Sequence, residues 1–297
     1  MTFYDEISAN KHRTFLLIFL FFILVIFLGY VLGVMYGNQY FGLILSFIIG
    51  LLYFLFSYYA GASAILSMTG AHEATKPQYT YLINTVEGLA LAAGLPMPKV
   101  YVIEDSALNA FATGRDPKHA SVTVTTGLLE KMNKLELEGV LAHELSHIKN
   151  FDIRVMMLAA VMVGLTVLLS DFLLRSFLWG GKSRERESSQ LTLILVIAGV
   201  LLAIFAPLIG EMIKLTVSRK REFLADASGA LLTRYPKGLA DALEKIKGDP
   251  DPLVDKANKA TAHLFISTPF RKKHSFTTTI FATHPPIEER IKRLRGM

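Results

Sequence analysis

Two long uncharged apolar runs near the start of the chain limit its possible folds more than any other feature. The first extends from Phe15 to Met35 and the second from Phe41 to Tyr59, with the short turn YGNQY between them. A membrane-spanning helix needs about 20 apolar residues, whereas the apolar core of a cleaved signal peptide has about 7–15. We therefore predict a retained helical hairpin, with the lipid bilayer as a partner of the protein.

The composition agrees with a membrane protein. Hydrophobic residues make up 52% of the 297 residues and charged residues only 19%, and the mean hydropathy is +0.41. The net charge is +6, and in a membrane protein such an excess usually lies in cytoplasmic loops that face anionic lipid. The chain has no nucleic-acid-binding motif, so we expect no nucleic-acid partner. Because the chain has no cysteine, a metal site would have to use histidines and carboxylates.

The segment HELSHIKN, residues 143–150, carries the pattern of a zinc protease site. It lies in LELEGVLAHELSHIKN, which we predict to be an amphipathic helix. Residues four apart share one helix face, so His143 and His147 can present imidazole nitrogens to one zinc ion. Glu144 would then lie beside the metal as a general base. The alternative is a surface helix that carries two histidines and a glutamate without a metal.

A zinc site also needs a third protein ligand, and no histidine follows at a suitable spacing. Asp152 is too close along its own helix to complete a tetrahedron. Glu222 and Asp226 lie four apart on one helix face, so one can bind the metal while the other supports a ligand histidine. Spacing alone favours this pair only slightly over a solvated acidic face. The carboxylates considered are Asp152, Asp171, Glu211, Glu222 and Asp226.

A second pair of apolar runs, residues 155–170 and 191–210, separates Glu222 and Asp226 from the HELSH segment. If a carboxylate beyond this hairpin is the third ligand, ligands on both flanks must meet at one ion, so the hairpin would cross the bilayer twice or not at all. Lys11 and Arg13 place the N-terminus in the cytoplasm, and two crossings by the first hairpin return the catalytic segment there. The loop between the second pair, residues 175–186, carries four basic residues. Both a full span and a shallow interfacial hairpin therefore remain open.

The polar segment between the two hairpins has the pattern of a small α+β unit. YTYLINTVEGLALAAGL predicts a helix that ends at Gly94, and KVYVI and SVTVTT predict strands. We interpret the intervening EDSALNAFATGRDPKH as a loop. An extended substrate could add to an edge of either predicted strand.

Four segments together closely resemble the HtpX-type membrane zinc metalloproteases: HELSHIKNFD, REFLADASGALL, THPPIEERI and NAFATG. These enzymes are heat-shock quality-control endopeptidases related to the CAAX prenyl endopeptidases, and the resemblance covers nearly the whole chain. It implies one zinc ion per chain, with Glu222 as the third ligand and Asp226 as support for the site. It also implies that His284 is catalytic, stabilising the tetrahedral intermediate, and that Asn109 binds near the substrate strand.

One further residue, Arg290, lies in the charged segment EERIKRLR six residues after His284. It can form a salt bridge with an acidic residue of the site such as Asp226, and the alternative is an ordinary surface charge. We expect the salt bridge, which would make Arg290 a support of the metal site.

Motifs and resemblance together predict a mainly α membrane protein. Two apolar helical hairpins would accompany a zincin-like (gluzincin) α+β catalytic domain that the second hairpin splits. The expected function is zinc-dependent hydrolysis of peptide bonds in misfolded or damaged membrane proteins, at the cytoplasmic side of a multi-pass plasma-membrane protein. The alternatives are a CAAX-type prenyl protease and a zinc-binding membrane scaffold without proteolysis. The expected divisions are an N-terminal segment 1–14, hairpin 15–60, catalytic part 61–152, hairpin 153–213 and catalytic part 214–297.

Overall fold

The first two helices pack closely against each other. The structure, a computed structural model, describes residues 3–35, 37–162, 219–249, 264–266 and 285–297. Helix α1 spans Phe3–Met35 and helix α2 spans Gln39–Thr69. Glycines lie where the two helices meet, and a Cβ added at Gly42 would overlap the backbone of Gly29 and Gly33. Such close approach of small residues is typical of helix pairs in membranes, where packing replaces the hydrophobic effect.

These two helices leave most of their apolar surface uncovered. Only 28% and 22% of their most apolar windows are buried within the described part of the protein. Large apolar side chains such as Phe15 and Leu52 are 72% and 62% exposed. A water-soluble protein rarely leaves an apolar surface of this extent in contact with water. The two predicted apolar helices are therefore present, with the length and exposure of membrane helices. Of the second predicted apolar pair, only its helical beginning, up to residue 162, falls within the described residues.

A small mixed sheet follows the membrane helices. Its strands lie in the order β1-β2-β4-β3, with β2 and β4 parallel and the two outer pairings antiparallel. Helix α3, Lys76–Ala93, ends at the left-handed Gly94, as the sequence predicted. The strands are β1 His72–Glu73, β2 Lys99–Ile103, β3 Ala110–Gly114 and β4 Ala120–Thr125.

The strand order corrects two predictions from the sequence. The segment interpreted as a loop contains strand β3, Ala110–Gly114. The prediction missed this strand because AFATG lacks the β-branched, alternating pattern that signals a strand. The prediction that SVTVTT offers a free edge is wrong, since β4 pairs on both sides. Strand β2 also pairs on both sides, with β4 and with the short β1. Strand β3 is the edge strand nearer the HELSH helix.

The two faces of the sheet pack against different partners. Val100, Val102, Val122 and Val124 point into a core shared with the helices of the catalytic part. On the opposite face, Phe111 joins a second apolar cluster that includes Leu17 and Phe21 of α1, Ile65 and Leu66 of α2, and residues 156–162. The sheet therefore connects the membrane helices to the catalytic helices.

The helices that build the candidate site come from both sides of the second apolar pair. Helix α5 packs against α6 and α7, and α8 packs against α7. Gly229 of α6 lies so close to the backbone of His143 that an added Cβ would sit 3.0 Å from its nitrogen. The chain segments before and after the second apolar pair therefore form one packed unit. These helices are α4 Thr126–Lys131, α5 Lys134–Lys149, α6 Arg219–Thr233, α7 Pro236–Lys247 and α8 Ile287–Arg295.

Candidate metal centre

Helix α5 is fixed at both its start and its apolar face, which places the HELSH residues in the interior. Asn133 caps the helix by accepting the N–H of Glu136, whose carboxylate accepts the N–H of Asn133 in return. This capping box satisfies donors that the first helical turn leaves unpaired. His143, Glu144 and His147 are 1%, 2% and 4% exposed, and the predicted helix is present.

The donor atoms of His143, His147 and Glu222 converge on one point. The two Nε2 atoms of the histidines lie 3.2 Å apart. The carboxylate oxygens of Glu222 lie 3.8 Å from Nε2 of His143 and 3.6 Å from Nε2 of His147. Metal–ligand bonds of about 2.0–2.2 Å at tetrahedral angles place the ligand atoms roughly 3.3–3.6 Å apart. The three side chains therefore have the spacing and the chemistry of a tetrahedral site with its fourth position open, and they form a group that could hold a metal ion.

The charge around these donors also fits a divalent cation. Four buried carboxylates surround them, and the buried guanidinium groups of Arg221 and Arg290 offset two of the four negative charges. An uncompensated buried charge is strongly unfavourable. With both ligand histidines neutral, as metal binding requires, a bound dication would offset the remaining negative charge. The carboxylates are those of Glu144, Asp152, Glu222 and Asp226.

His143 is held by a buried carboxylate and an arginine. Its Nδ1 lies 3.0 Å from Oδ1 of Asp226. Arg290 in turn donates to both oxygens of Asp226, at 2.9 and 2.7 Å. Burial raises the pKa of Asp226, but the Arg290 and His143 contacts outweigh it and hold that pKa at about 2. Burial and the positive charge of Arg290 lower the pKa of His143 to about 4, so its imidazole is neutral and available as a ligand.

His147 is held by Asp152, a contact that the sequence analysis did not foresee. Oδ2 of Asp152 lies 2.9 Å from Nδ1 of His147. Helix α5 ends at Lys149, and Phe151 adopts the left-handed conformation with φ of 61°, which turns Asp152 back towards the helix. Burial lowers the pKa of His147, but hydrogen bonding to Asp152 and the charge of Glu222 raise it to about 9. The sequence predicts that Asp152 is too close along its helix to be a third ligand, and Asp152 lies outside the group of three converging donors. It instead holds one of them, His147.

Glu144 has the environment of a proton acceptor. Burial and the neighbouring Glu222 raise the pKa of Glu144 to about 7, against the opposing charges of His147 and Arg290. The backbone N–H of Ala112 in the edge strand β3 donates to its carboxylate. A carboxylate with a pKa near neutrality can both accept and return a proton at physiological pH.

Of the two remaining predicted site residues, only Asn109 lies in the described part of the chain. Asn109 is buried at the start of β3, and its Oδ1 accepts the backbone N–H of Ala110. His284 lies outside the described residues, as do Asp171 and Glu211, and α8 begins just beyond it at Ile287.

Comparison with known proteins identifies the family of the chain. The model of peptidase family M48 matches residues 77–297. Proteins named Protease HtpX homolog from Dictyoglomus turgidum and Dictyoglomus thermophilum are 45% and 47% identical, over 100% of this chain and 95% of each relative. One from Listeria monocytogenes is 41% identical over 99% of both chains. A crystal structure of S. mikatae Ste24p has a TM-score of 0.44 and 20% identity, covering 82% of this chain and 58% of that one. The sequence matches establish that the chain belongs to peptidase family M48, as an HtpX-type membrane metalloprotease.

Proposed function

We propose that this protein is a zinc endopeptidase that cleaves misfolded or damaged membrane proteins as part of a stress response. The observation that carries the proposal is the convergence of three donors, from His143, His147 and Glu222, beside a glutamate whose pKa is about 7. Two imidazoles and one carboxylate with an open fourth position are the ligand set of many catalytic zinc sites. One zinc ion per chain would occupy this set.

In this mechanism Glu144 carries the proton between water and the leaving group. Zinc, when bound, lowers the pKa of a water molecule towards about 7 and polarises the peptide carbonyl. Glu144 accepts the proton of the attacking water and later donates it to the leaving amine. His284 is proposed to stabilise the tetrahedral intermediate, by resemblance to the family. Asp226 and Asp152 keep the imidazoles of the two ligand histidines in position, and Arg290 keeps Asp226 in position.

The substrate is proposed to bind as an extended strand along β3. This strand forms the edge nearer α5, and Ala112 within it contacts the proposed base. Ile266 already donates its N–H to the carbonyl of Ala110, and the N–H of Ala112 donates to Glu144, so a substrate strand would pair with the part from the carbonyl of Ala112 to Gly114. Asn109, immediately before β3, is proposed to bind the substrate backbone.

The proposed location is the plasma membrane, with several spans and the active site on the cytoplasmic side. Lys11 and Arg13 favour a cytoplasmic N-terminus. A hydrogen bond between Asn10 and Asp152 supports this, because it keeps the start of α1 and the active site on one side of the bilayer. We further propose that an apolar hairpin, residues 153–213, divides the catalytic domain into residues 61–152 and 214–297.

The proposal is tested by replacing Glu144 with glutamine. We expect the purified Glu144→Gln protein to retain one zinc per chain and to lose hydrolysis of an unfolded probe such as β-casein. Glu138→Gln, on the same helix and outside the cluster, should retain both properties. Equal cleavage by the parent and Glu144→Gln proteins would contradict the mechanism. Cleavage confined to a prenylated CAAX peptide would instead identify a prenyl protease, and zinc without any cleavage by the parent protein would identify a scaffold.

A further inference from the structure

The polar start of the membrane helix α1 reaches the interior of the catalytic part. Asn10 is 1% exposed, although it lies only five residues before the apolar run that begins at Phe15. Its Nδ2 donates to Oδ1 of Asp152 at 2.6 Å and to the backbone carbonyl of Asn150 at 2.9 Å. Asp152 is the residue whose other oxygen contacts His147. Asn10 is thus separated from the candidate ligand His147 by one carboxylate.

The amide of Asn10 fits this position in one orientation. Its oxygen accepts from Arg13 at 2.9 Å and faces Arg221 at 3.4 Å, while its nitrogen faces a carboxylate and a carbonyl. A reversed amide would point hydrogens at two guanidinium groups and an oxygen at two acceptors. An asparagine amide has two donor hydrogens and two acceptor positions, and all four are used here. A polar side chain that is buried and fully paired in this way fixes the groups around it.

Asn10 therefore contacts both chain segments that carry the candidate ligands. Asn150 and Asp152 follow helix α5, which carries His143 and His147, and Arg221 directly precedes Glu222. Arg221 also donates to Oδ1 of Asp152 at 3.2 Å. The same carboxylate oxygen of Asp152 accepts from Asn10 and from Arg221, which leaves Oδ2 directed at Nδ1 of His147. A ligand histidine whose second nitrogen is held by a carboxylate keeps its ring orientation and its tautomer.

We propose that Asn10 is a positioning residue of the metal centre: it holds Asp152, and Asp152 in turn fixes the imidazole of His147. The membrane helix α1 is then a component of the metal site as well as an anchor. The proposal rests on the proposed zinc site and adds to it a residue more than 130 positions away in the sequence.

The test measures zinc affinity, because a residue that merely packs α1 against the protein would not change it. We expect Asn10→Leu, which has a similar volume and no polar atoms, to weaken zinc binding by about tenfold, the lower end of the effect of such supporting contacts. Zinc dissociation constants would be obtained by competition with a chromogenic chelator, using folded protein in detergent. Leu17→Ala is the matched control, since Leu17 lies seven residues further along the same helix and packs in the apolar cluster. We expect its zinc affinity to equal that of the parent.

A double-mutant cycle tests whether Asn10 acts through Asp152. Asp152→Ala should weaken zinc binding by about 10–100-fold, and adding Asn10→Leu should then change it by less than about twofold. If Asn10→Leu does not fold, Asn10→Ala takes its place in the same cycle. A zinc affinity of the Asn10 variant within about twofold of the parent, or losses that multiply in the double mutant, would overturn the inference. A parent protein that binds no stoichiometric zinc would instead refute the proposed function, so the two failures are distinguishable.

Discussion

The buried pair of Arg290 and Asp226 allows a quantitative prediction about folding. We consider Arg290→Met, which keeps much of the side-chain length and removes the charge. Arg290 is 1% exposed, donates twice to Asp226 and also donates to the carbonyl of Ile266 at 3.3 Å. The substitution leaves the carboxylate of Asp226 buried without its cationic partner. Such an uncompensated buried charge costs about 3–5 kcal/mol.

The pKa of Asp226 gives a second measure of the same interaction. Its value of about 2 lies about 1.8 units below the ordinary value of 3.8, which corresponds to about 2–3 kcal/mol. This figure is smaller because the pKa shift is a net effect, in which the attraction to Arg290 and His143 is partly cancelled by the cost of burying the charge. The substitution removes the attraction of Arg290 and leaves the full cost of burial. We therefore expect Arg290→Met to lower the free energy of unfolding by about 3–5 kcal/mol.

The pH dependence has a defined sign. A carboxyl with a depressed pKa contributes stability above its unfolded pKa of about 3.8, and this contribution is lost as the pH falls through about 2. In Arg290→Met the pKa of Asp226 rises, so its folded form takes up a proton as the pH is lowered from about 7 to about 4. The stability difference between the parent and the variant should therefore narrow in that range.

The assay is urea unfolding of the EDTA-treated proteins in nonionic detergent, followed by far-ultraviolet circular dichroism. Removing the metal keeps zinc affinity out of the comparison. Lys292→Met, a loss of an exposed cation on the same helix, should change stability by less than about 0.5 kcal/mol. The double variant Arg290→Met with Asp226→Leu should be more stable than Arg290→Met alone. A loss of less than about 1 kcal/mol in Arg290→Met, or additive losses in the double variant, would refute this reasoning.

Three further predictions concern the ligands, the helix packing and the activity of the enzyme. Glu222→Ala should lose stoichiometric zinc in detergent, whereas Asp226→Asn should weaken zinc binding by only about 10–100-fold; intact zinc in Glu222→Ala would exclude it as a ligand. Gly139→Ala should destabilise the fold by about 1–3 kcal/mol in the same urea assay, because its Cβ would lie 2.6 Å from the backbone of α7, while Gly88→Ala meets no atom and should not destabilise. The zinc-loaded parent protein should cleave itself after solubilisation, and identical fragments from Glu144→Gln on a gel would contradict this.

The sequence was sufficient for features that depend on local pattern. The two uncharged runs correspond to helices α1 and α2, and HELSH lies on a helix with its side chains buried. The spacing of Glu222 and Asp226 placed both on one face of α6 but could not decide between them. The geometry separates them, because Glu222 faces both Nε2 atoms while Asp226 faces Nδ1 of His143.

Features that depend on contacts between distant segments could not be predicted. Apart from Phe111, strand β3 consists of small residues, and it is fixed by pairing with β4 rather than by its own β-propensity. Asn10 looks like an ordinary polar residue before a membrane helix, and only the fold brings it to Asp152. The sequence contains no local signal that links two residues 142 positions apart.

The turn after helix α5 brings Asp152, five residues beyond the second histidine of HELSH, back to that histidine. A continuous helix would carry Asp152 away from His147, and this assumption led the sequence analysis to weigh Asp152 only as a metal ligand. The left-handed conformation of Phe151 costs about 1–2 kcal/mol in a residue other than glycine, so contacts must hold it. Asn10 binds the carbonyl immediately before it, and the guanidinium of Arg154 lies 5.1 Å from the centre of its ring. The strained turn, the support of His147 and the position of the membrane helix therefore depend on one another. A change in how α1 meets the catalytic part should consequently alter the metal site before it alters the helices that carry the ligands.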